Sequence, residues 1–333
     1  MKAAMIHRYG QKEVEVVETA MPKIREQDVL VKIAAASINP IDLKTKEGKM
    51  KMLLKYPMPL TLGSDFSGTI VETGKGATNF LIGDQVYGRV QKDRIGTFAE
   101  YIAVSQEDIA LLPKNVSFEE AAAIPLVGLT SYQALYEIMN VTAKDKVLIQ
   151  AGSGGIGTIA IQLAKLSGAY VATTTSEKNS ALVRELGADK VIDYHKENFD
   201  EVLADYDYVF DTMGGEILER AFNVIKPKGK VVTLSGMPNK RFAREYGLPF
   251  WKQGILPLAS HKLSKRAKTA KAEYVFLFMR PDGKQLEQLT ELIEADKLKP
   301  IIDRVIPLED IQAAFDYSAS GRAKGKIIIK MPD

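Results

Sequence analysis

The chain has no cysteine among its 333 residues, only three histidines and a single tryptophan. The first absence excludes disulfides, a thiolate nucleophile and cysteine-ligated zinc, although it does not by itself name a compartment. His7, His195 and His261 are scattered, with no pair at a ligand spacing such as i, i+4, and they read as ordinary surface or core histidines. No apolar run approaches the ~20 residues that a membrane-spanning helix needs, and the N-terminus has no apolar signal block. Charge of one sign is missing too. The balance of 45 Lys+Arg against 42 Asp+Glu leaves a net of +3, too little to imply a general affinity for nucleic acid or anionic membrane. These absences predict a soluble, cytoplasmic protein, and its length suggests about two domains with a substantial core.

What is present is concentrated at 146–165. Residues 147–151 read as a short buried strand, an apolar run without helical period, and 157–166 read as a helix. Between them Gly152, Gly154 and Gly157 complete G-x-G-x-x-G, enclosing Gly155 and Ile156. Glycine serves three needs there: a tight turn, close approach of backbone to a pyrophosphate, and close packing of helix on strand. The free N–H groups and positive end of the helix then face the phosphates. The pattern is weak in isolation and strong between strand and helix in a continuing β-α-β series. The series does continue, with strands at 170–175, 190–193, 207–211 and 230–234 and helices at 179–186 and from Gly214-Gly215 to near Pro227. This alternation predicts an α/β fold with a doubly wound parallel sheet, binding a dinucleotide at the carboxyl ends of its strands.

Residues 1–120 have another texture, with short strands at 29–33, 68–72, 85–87 and 98–104 punctuated by Gly, Pro and Asp, as in a compact antiparallel β domain. After the parallel sheet come an apolar strand at 274–279, a helix at 285–295 and a closing strand at 325–331.

The order of parts resembles the zinc-independent branch of the medium-chain dehydrogenase/reductases, the quinone oxidoreductase and enone (2-alkenal) reductase group. The resemblance runs over essentially the whole chain. It is carried by NPIDLK at 39–44, GSDFSG at 63–68, GDQVY at 83–87, GTFAEY at 96–101, AIPLVGLT at 123–130, the glycine loop, GADKVIDY at 187–194 and GRAKGK at 321–326. It implies a GroES-like catalytic domain at 1–122, a Rossmann NADP-binding domain at 123–280, and a C-terminal return to the catalytic domain at 281–333. Where zinc-dependent relatives carry Gly-His-Glu, this chain has Gly63, Ser64 and Asp65, and a later cysteine ligand falls near Leu126. No metal is therefore expected, and without a Lewis acid alcohol oxidation is not either. Asp65 is expected to be structural.

An NAD site places a carboxylate at the tip of the second Rossmann strand, on the ribose 2′-OH. Here Thr175 takes that place, followed by Ser176, Glu177 and Lys178. Hydroxyls and a cation suit the 2′-phosphate of NADPH, whereas Glu177, two residues on, suits NADH. NADPH is the reading adopted. By resemblance Tyr194 lies near the adenosine phosphate. Asn39, Asp42 and Lys44 lie in a segment that faces nicotinamide and substrate, with Asn39 and Lys44 as catalytic donors. Thr130 begins a helix and reaches the nicotinamide ribose. Met213 and Gly214 run along the cofactor, Leu234, Ser235 and Gly236 meet the nicotinamide amide, and Lys326 is a further cofactor contact. Tyr56 reads as a packed loop tyrosine and no general acid is identified.

The implied reaction is hydride transfer to the C=C of an α,β-unsaturated carbonyl or to a quinone, with developing oxyanion charge met by Asn39, Lys44 or backbone N–H groups. The rival reading is an NADPH-dependent interaction or RNA-binding protein of the same fold, pointing to the basic stretch 262–271, whose Leu263, Ala267, Ala270 and Tyr274 share one helical face. The apolar strand 274–279 at the outer edge of the sheet predicts a homodimer, because an uncovered apolar edge associates.

Overall fold

The structure, a computed structural model, describes residues 1–332 and divides into two compact units: Met1–Leu129 together with the chain from Arg280 onward, and Thr130–Met279. The first opens with β1 (Lys2–Ile6), β2 (Glu15–Glu18), β3 (Asp28–Ile38), α1 (Pro40–Lys46), β4 (Leu60–Thr61), β5 (Asp65–Thr73), β6 (Gln85–Arg89), β7 (Tyr101–Ser105), β8 (Ile109–Leu111) and α2 (Phe118–Ala122). Helix α3 (Pro125–Tyr132) leads into the second unit, which holds β9 (Lys146–Ile149), α4 (Gly155–Leu166), β10 (Tyr170–Thr175), α5 (Ser180–Glu185), β11 (Lys190–Asp193), α6 (Phe199–Val202), β12 (Tyr206–Asp211), α7 (Gly215–Ala221), β13 (Ile225–Thr233), α8 (Lys240–Glu245), α9 (Phe250–Ala259), α10 (His261–Thr269) and β14 (Glu273–Phe276). The chain then returns with α11 (Gly283–Glu294), β15 (Ile302–Pro307), α12 (Ile311–Ala319) and β16 (Lys326–Lys330).

In the first unit a long sheet runs β15-β16-β3-β5-β6-β8, with β7 also on β3, and a small sheet runs β2-β1-β4. Strand β3 is the hub because its eleven residues are nearly all buried, so β5, β7 and β16 can each use part of its length. The pairing Ile327↔Ile38 brings Lys326 beside the end of β3, nearly the whole chain away in sequence. That end leads into α1, where Pro40 sits in the first turn and Asp42 accepts the Asn39 backbone N–H at 2.8 Å, fixing the direction in which the helix leaves the sheet.

The second unit is a parallel sheet in the order β11-β10-β9-β12-β13-β14. Its strands, counted along the chain, lie 3-2-1-4-5-6, so the order reverses between β9 and β12, where such sheets bind ligands. Strand β9 is flanked on both sides and covered on both faces; Val147, Leu148 and Ile149 are fully buried, which is why its sequence shows no alternation. Helix α4 buries Ile159, Ile161 and Leu163, each worth roughly 1.5–3 kcal/mol, and thereby clamps the glycine loop to the sheet.

Several boundaries differ from those expected. Helix α7 stops at Ala221 and β13 already begins at Ile225, with Pro227 in the irregular stretch between the pairs Tyr206↔Ile225 and Tyr208↔Lys230, where no ladder N–H is needed. Strand β14 ends at Phe276, not at 279. Helix α3 starts at Pro125, so Thr130 lies near its end and does not open it; proline at the first position sets that start. Helices α8 and α9 had no counterpart in the sequence reading. Helix α10 packs Leu263 and Ala267 into the core of the unit, with Phe222 and Tyr274, while Lys262 and Arg266 both reach Glu219. Among the described residues no helix is long and apolar enough to cross a membrane.

Candidate active site

The glycine loop shows directly why its residues are glycine. Ala151 takes a left-handed φ of 53°, and the Gly152 N–H donates to the Thr174 carbonyl at 2.9 Å. A Cβ on Gly152 would lie 2.1 Å from Thr173 Oγ1, and one on Gly157 would lie 2.4 Å from the Ala151 carbonyl oxygen. Gly154 has more room, with its nearest neighbour at 3.3 Å, and serves as the cap of α4 without a side-chain acceptor. The first intrahelical bond runs from the Thr158 N–H to the Gly154 carbonyl, so among the described residues the N–H groups of Gly155, Ile156 and Gly157 have no intrahelical or side-chain acceptor, as an anion site at a helix start requires. Gln150, the last residue before the loop, is fully buried with both side-chain amide atoms unpartnered, at the strand end beside the reversal of sheet order. This polar residue in an apolar strand was the only signal the sequence offered for it, and it was not singled out.

At the tip of β10, Thr175 is buried and its hydroxyl donates to Ser153 Oγ at 2.9 Å, which also accepts from Asn179 Nδ2 at 3.0 Å. Thr175 therefore holds the glycine loop to the strand end. Ser176 is buried, Lys178 is exposed, and Tyr194 is 59% exposed, its backbone N–H donating to the Thr175 carbonyl at 3.3 Å. The Tyr194 and His195 rings lie against each other with centroids 4.3 Å apart. Glu177 pairs with Lys196 at 2.5 Å.

The ends of β12 and β13 are tied together by two residues the sequence reading passed over. Asp211 accepts the N–H groups of Met213 and Gly214, each at 3.1 Å, and the Thr233 hydroxyl. Burial pushes its carboxyl above the usual carboxylate range. Thr233 Oγ1 in turn accepts the N–H groups of Ser235 (3.1 Å) and Gly236 (3.0 Å), and Ser235 Oγ donates to the Thr212 carbonyl at 2.9 Å. Gly214, at φ 73°, has its Cβ position only 2.6 Å from the Ser235 carbonyl. Leu234, Ser235 and Gly236 are thus brought beside Met213 and Gly214 at adjacent strand ends, with Met213 exposed.

In the first unit, Asn39, Asp42, Asp65 and Lys326 form one buried cluster. Lys326 Nζ donates to the Ile38 carbonyl at 3.0 Å and to Asn39 Oδ1, and lies 3.7 Å from Asp65. Asp65 accepts from Ser37 Oγ (2.9 Å), Asn39 Nδ2 (3.0 Å) and the Leu126 N–H (3.0 Å). Burial pushes the Lys326 ammonium down and the Asp65 carboxyl up, and each opposes that shift in the other. Burial pushes Asp42 up to about 7. Asn39 is 1% exposed and both ends of its amide are engaged within the chain, so the geometry makes it a positioning group and not an open donor. Lys326, expected as a cofactor contact, is likewise 4% exposed and donates to internal acceptors. Lys44, on α1, is half-buried and its ammonium has no hydrogen bond or ion pair among the described residues; burial, then Lys49, push it down. Tyr56 donates to the Lys92 carbonyl at 2.6 Å, as a packed loop tyrosine would. Thr130 is buried in the second unit.

The residues that align with zinc ligands are engaged within the fold or are of other types. There is no cysteine, Asp65 is taken up by Lys326 and Asn39, and among the described residues no three His, Cys, Asp or Glu side chains come together as a metal site.

Comparison with known proteins agrees with the geometry. Residues 25–114 match the alcohol dehydrogenase GroES-like domain, and residues 186–329 match the zinc-binding dehydrogenase domain. The 2-methylene-furan-3-one reductase of Solanum lycopersicum is 35% identical over 99% of this chain and 79% of its own. The chloroplastic NADPH-dependent alkenal/one oxidoreductase of Arabidopsis thaliana is 33% identical with the same coverage. The quinone oxidoreductase from Coxiella burnetii superposes with a TM-score of 0.86 at 32% identity, covering 100% of this chain and 99% of that one. With a GroES-like domain, a 3-2-1-4-5-6 parallel sheet and relatives of this similarity over nearly its whole length, the chain belongs to the medium-chain dehydrogenase/reductase family, in its quinone oxidoreductase and enone reductase group.

Proposed function

We propose that the protein is an NADPH-dependent oxidoreductase that reduces the C=C of an α,β-unsaturated carbonyl, or a quinone, without zinc. The observation that carries the reading is the complete dinucleotide loop of the second unit; in the first unit Asp65, which aligns with the zinc-ligand segment of zinc-dependent relatives, is buried against Lys326 and Asn39. The alkenal/one oxidoreductase relative, NADPH-dependent by name, supports the cofactor and the acceptor class. Thr130–Met279 is the NADP-binding domain, and Met1–Leu129 with the chain from Arg280 onward is the catalytic domain.

NADPH, when bound, supplies the hydride. The N–H groups of Gly155, Ile156 and Gly157 would hold its pyrophosphate, and Ser176, Lys178 and Tyr194 would hold the adenosine phosphate. The strand ends pinned by Asp211 and Thr233 present backbone to the nicotinamide amide. Lys44, an ammonium without an internal acceptor, meets the negative charge that develops on the substrate oxygen, while Asn39 and Lys326 fix the helix on which it stands. The proton that completes the reduction comes from solvent. The nucleic-acid reading is not favoured, since two cations of the basic helix are paired with Glu219.

NADPH oxidation with crotonaldehyde, cyclohexenone and naphthoquinone tests the proposal. Turnover is expected with at least one of these acceptors and is expected to survive prolonged chelation. Failure with all three, or stoichiometric zinc lost together with activity, would overturn it. The proposal includes a homodimer. Edge strand β14 supports it, as does the exposed face of α9, where Phe250, Trp251, Ile255 and Leu258 are 91%, 60%, 48% and 78% exposed. Light scattering at micromolar concentration is expected to give the mass of two chains; the mass of one would rule the dimer out. It also places the protein in the cytoplasm, although the Arabidopsis thaliana relative is chloroplastic, and fractionation of the source cells checks this.

A further inference from the structure

Parallel pairing sets two loops side by side at the end of the sheet that faces the adenosine ribose in this fold. Thr175 on β10 is in register with Asp193 on β11, and the Tyr194 N–H donates back to the Thr175 carbonyl. Residues 176–178 and 194–196 therefore leave neighbouring strand ends together. One of these loops carries Glu177, a carboxylate two residues beyond the position from which an NAD site accepts the ribose 2′-OH, close enough to repel a 2′-phosphate. In this chain that carboxylate is turned to Lys196 at 2.5 Å, with both side chains open to solvent. Asp193, the other carboxylate close by, accepts the His195 N–H at 3.1 Å and also faces Lys196. The Lys178 ammonium on the same tip has no hydrogen bond or ion pair among the described residues.

We infer that Lys196 sets the cofactor preference of this protein by holding and neutralising Glu177, so that a strand end bearing the carboxylate suited to NADH accepts the 2′-phosphate of NADPH instead. The inference rests on the NADPH reading above and assigns to it a residue that lies outside the tip of β10. With Glu177 held and neutralised by Lys196, the ammonium of Lys178 is left to meet the phosphate. Removing Lys196 leaves two carboxylates and one ammonium at this end. It also frees Glu177 to accept from a ribose hydroxyl. The two cofactors should then respond in opposite directions, which the simple loss of a phosphate contact does not produce.

The test is titration of NADPH and NADH against wild type, Lys178→Ala, Lys196→Ala, Glu177→Gln and the double variant Lys196→Ala/Glu177→Gln. The substituted side chains are exposed, so the variants are expected to keep the wild-type melting temperature. Lys196→Ala should weaken NADPH about tenfold and tighten NADH about threefold, whereas Lys178→Ala should weaken NADPH alone. Adding Glu177→Gln to Lys196→Ala should recover most of the NADPH affinity and abolish the gain for NADH, a coupling that independent sites do not show. An unchanged NADPH/NADH ratio in Lys196→Ala, with Lys178→Ala impaired, would overturn the inference and leave the NADPH reading standing. Loss of NADPH affinity that Glu177→Gln does not restore would make Lys196 a direct phosphate contact, and would also overturn it. Equal affinity of the wild type for both cofactors would instead remove the NADPH reading on which it depends.

Discussion

Gly157→Ala is expected to lower NADPH affinity by at least about a hundredfold. The added Cβ would lie 2.4 Å from the Ala151 carbonyl oxygen and 2.6 Å from Gly152 Cα, backbone atoms that no rotamer change can move aside. The loop must shift, and with it the N–H groups of Gly155, Ile156 and Gly157 that receive the pyrophosphate. Losing two charge-assisted hydrogen bonds at about 1.5 kcal/mol each accounts for a change of that size. Gly154→Ala is the internal control, since its Cβ meets nothing closer than 3.3 Å and the cap φ of −80° suits any residue. Fluorescence titration of both variants, with thermal melting to confirm folding, checks the pair. Retention of wild-type affinity by Gly157→Ala would remove the loop from the cofactor site.

Lys44→Ala should lower kcat with an enone substrate by about a hundredfold while leaving the NADPH dissociation constant within about threefold. Lys44 is half-buried and has no acceptor among the described residues, so its ammonium remains available for charge that appears only as the hydride is transferred. A surface lysine of no consequence would leave kcat unchanged, and a phosphate contact would raise the NADPH dissociation constant instead. Either result sinks the assignment. Asn39→Ala should also lower activity, but with a drop in melting temperature, because it removes both partners that the amide supplies to Lys326 and Asp65.

Sequence pattern was sufficient for the features that depend on local backbone. Gly152, Gly154 and Gly157 announce the loop because a Cβ at two of the three positions collides with atoms of the loop itself or of the adjacent strand. The alternation of short apolar runs with helical segments announced the parallel sheet, since strands covered on both faces have no polar side to show. The family resemblance followed from motifs spaced along the whole chain. Boundaries were less legible. Pro227 looked like the end of a helix because its strand tolerates proline only through a slip in register, and that slip belongs to the pairing of β12 with β13.

What a residue does at the site was decided by contacts between distant segments. Lys326 and Asn39 stand 287 positions apart, and the antiparallel pairing of β16 with β3 turns an expected cofactor lysine into a buried partner of Asn39. The Thr175 hydroxyl is bonded to Ser153, and the register of β10 with β11 brings Lys196 to Glu177, contacts that no local pattern shows. The sequence alone determined a two-domain dinucleotide-binding chain without cysteine chemistry, because glycine sterics, hydrophobic period and composition act over a few residues, and its resemblance to a family added the oxidoreductase reading. Only the tertiary structure decided which polar side chains are spent inside the fold and which remain for cofactor and substrate, because a hydrogen bond needs both partners within about 3 Å and sequence separation says nothing of that distance.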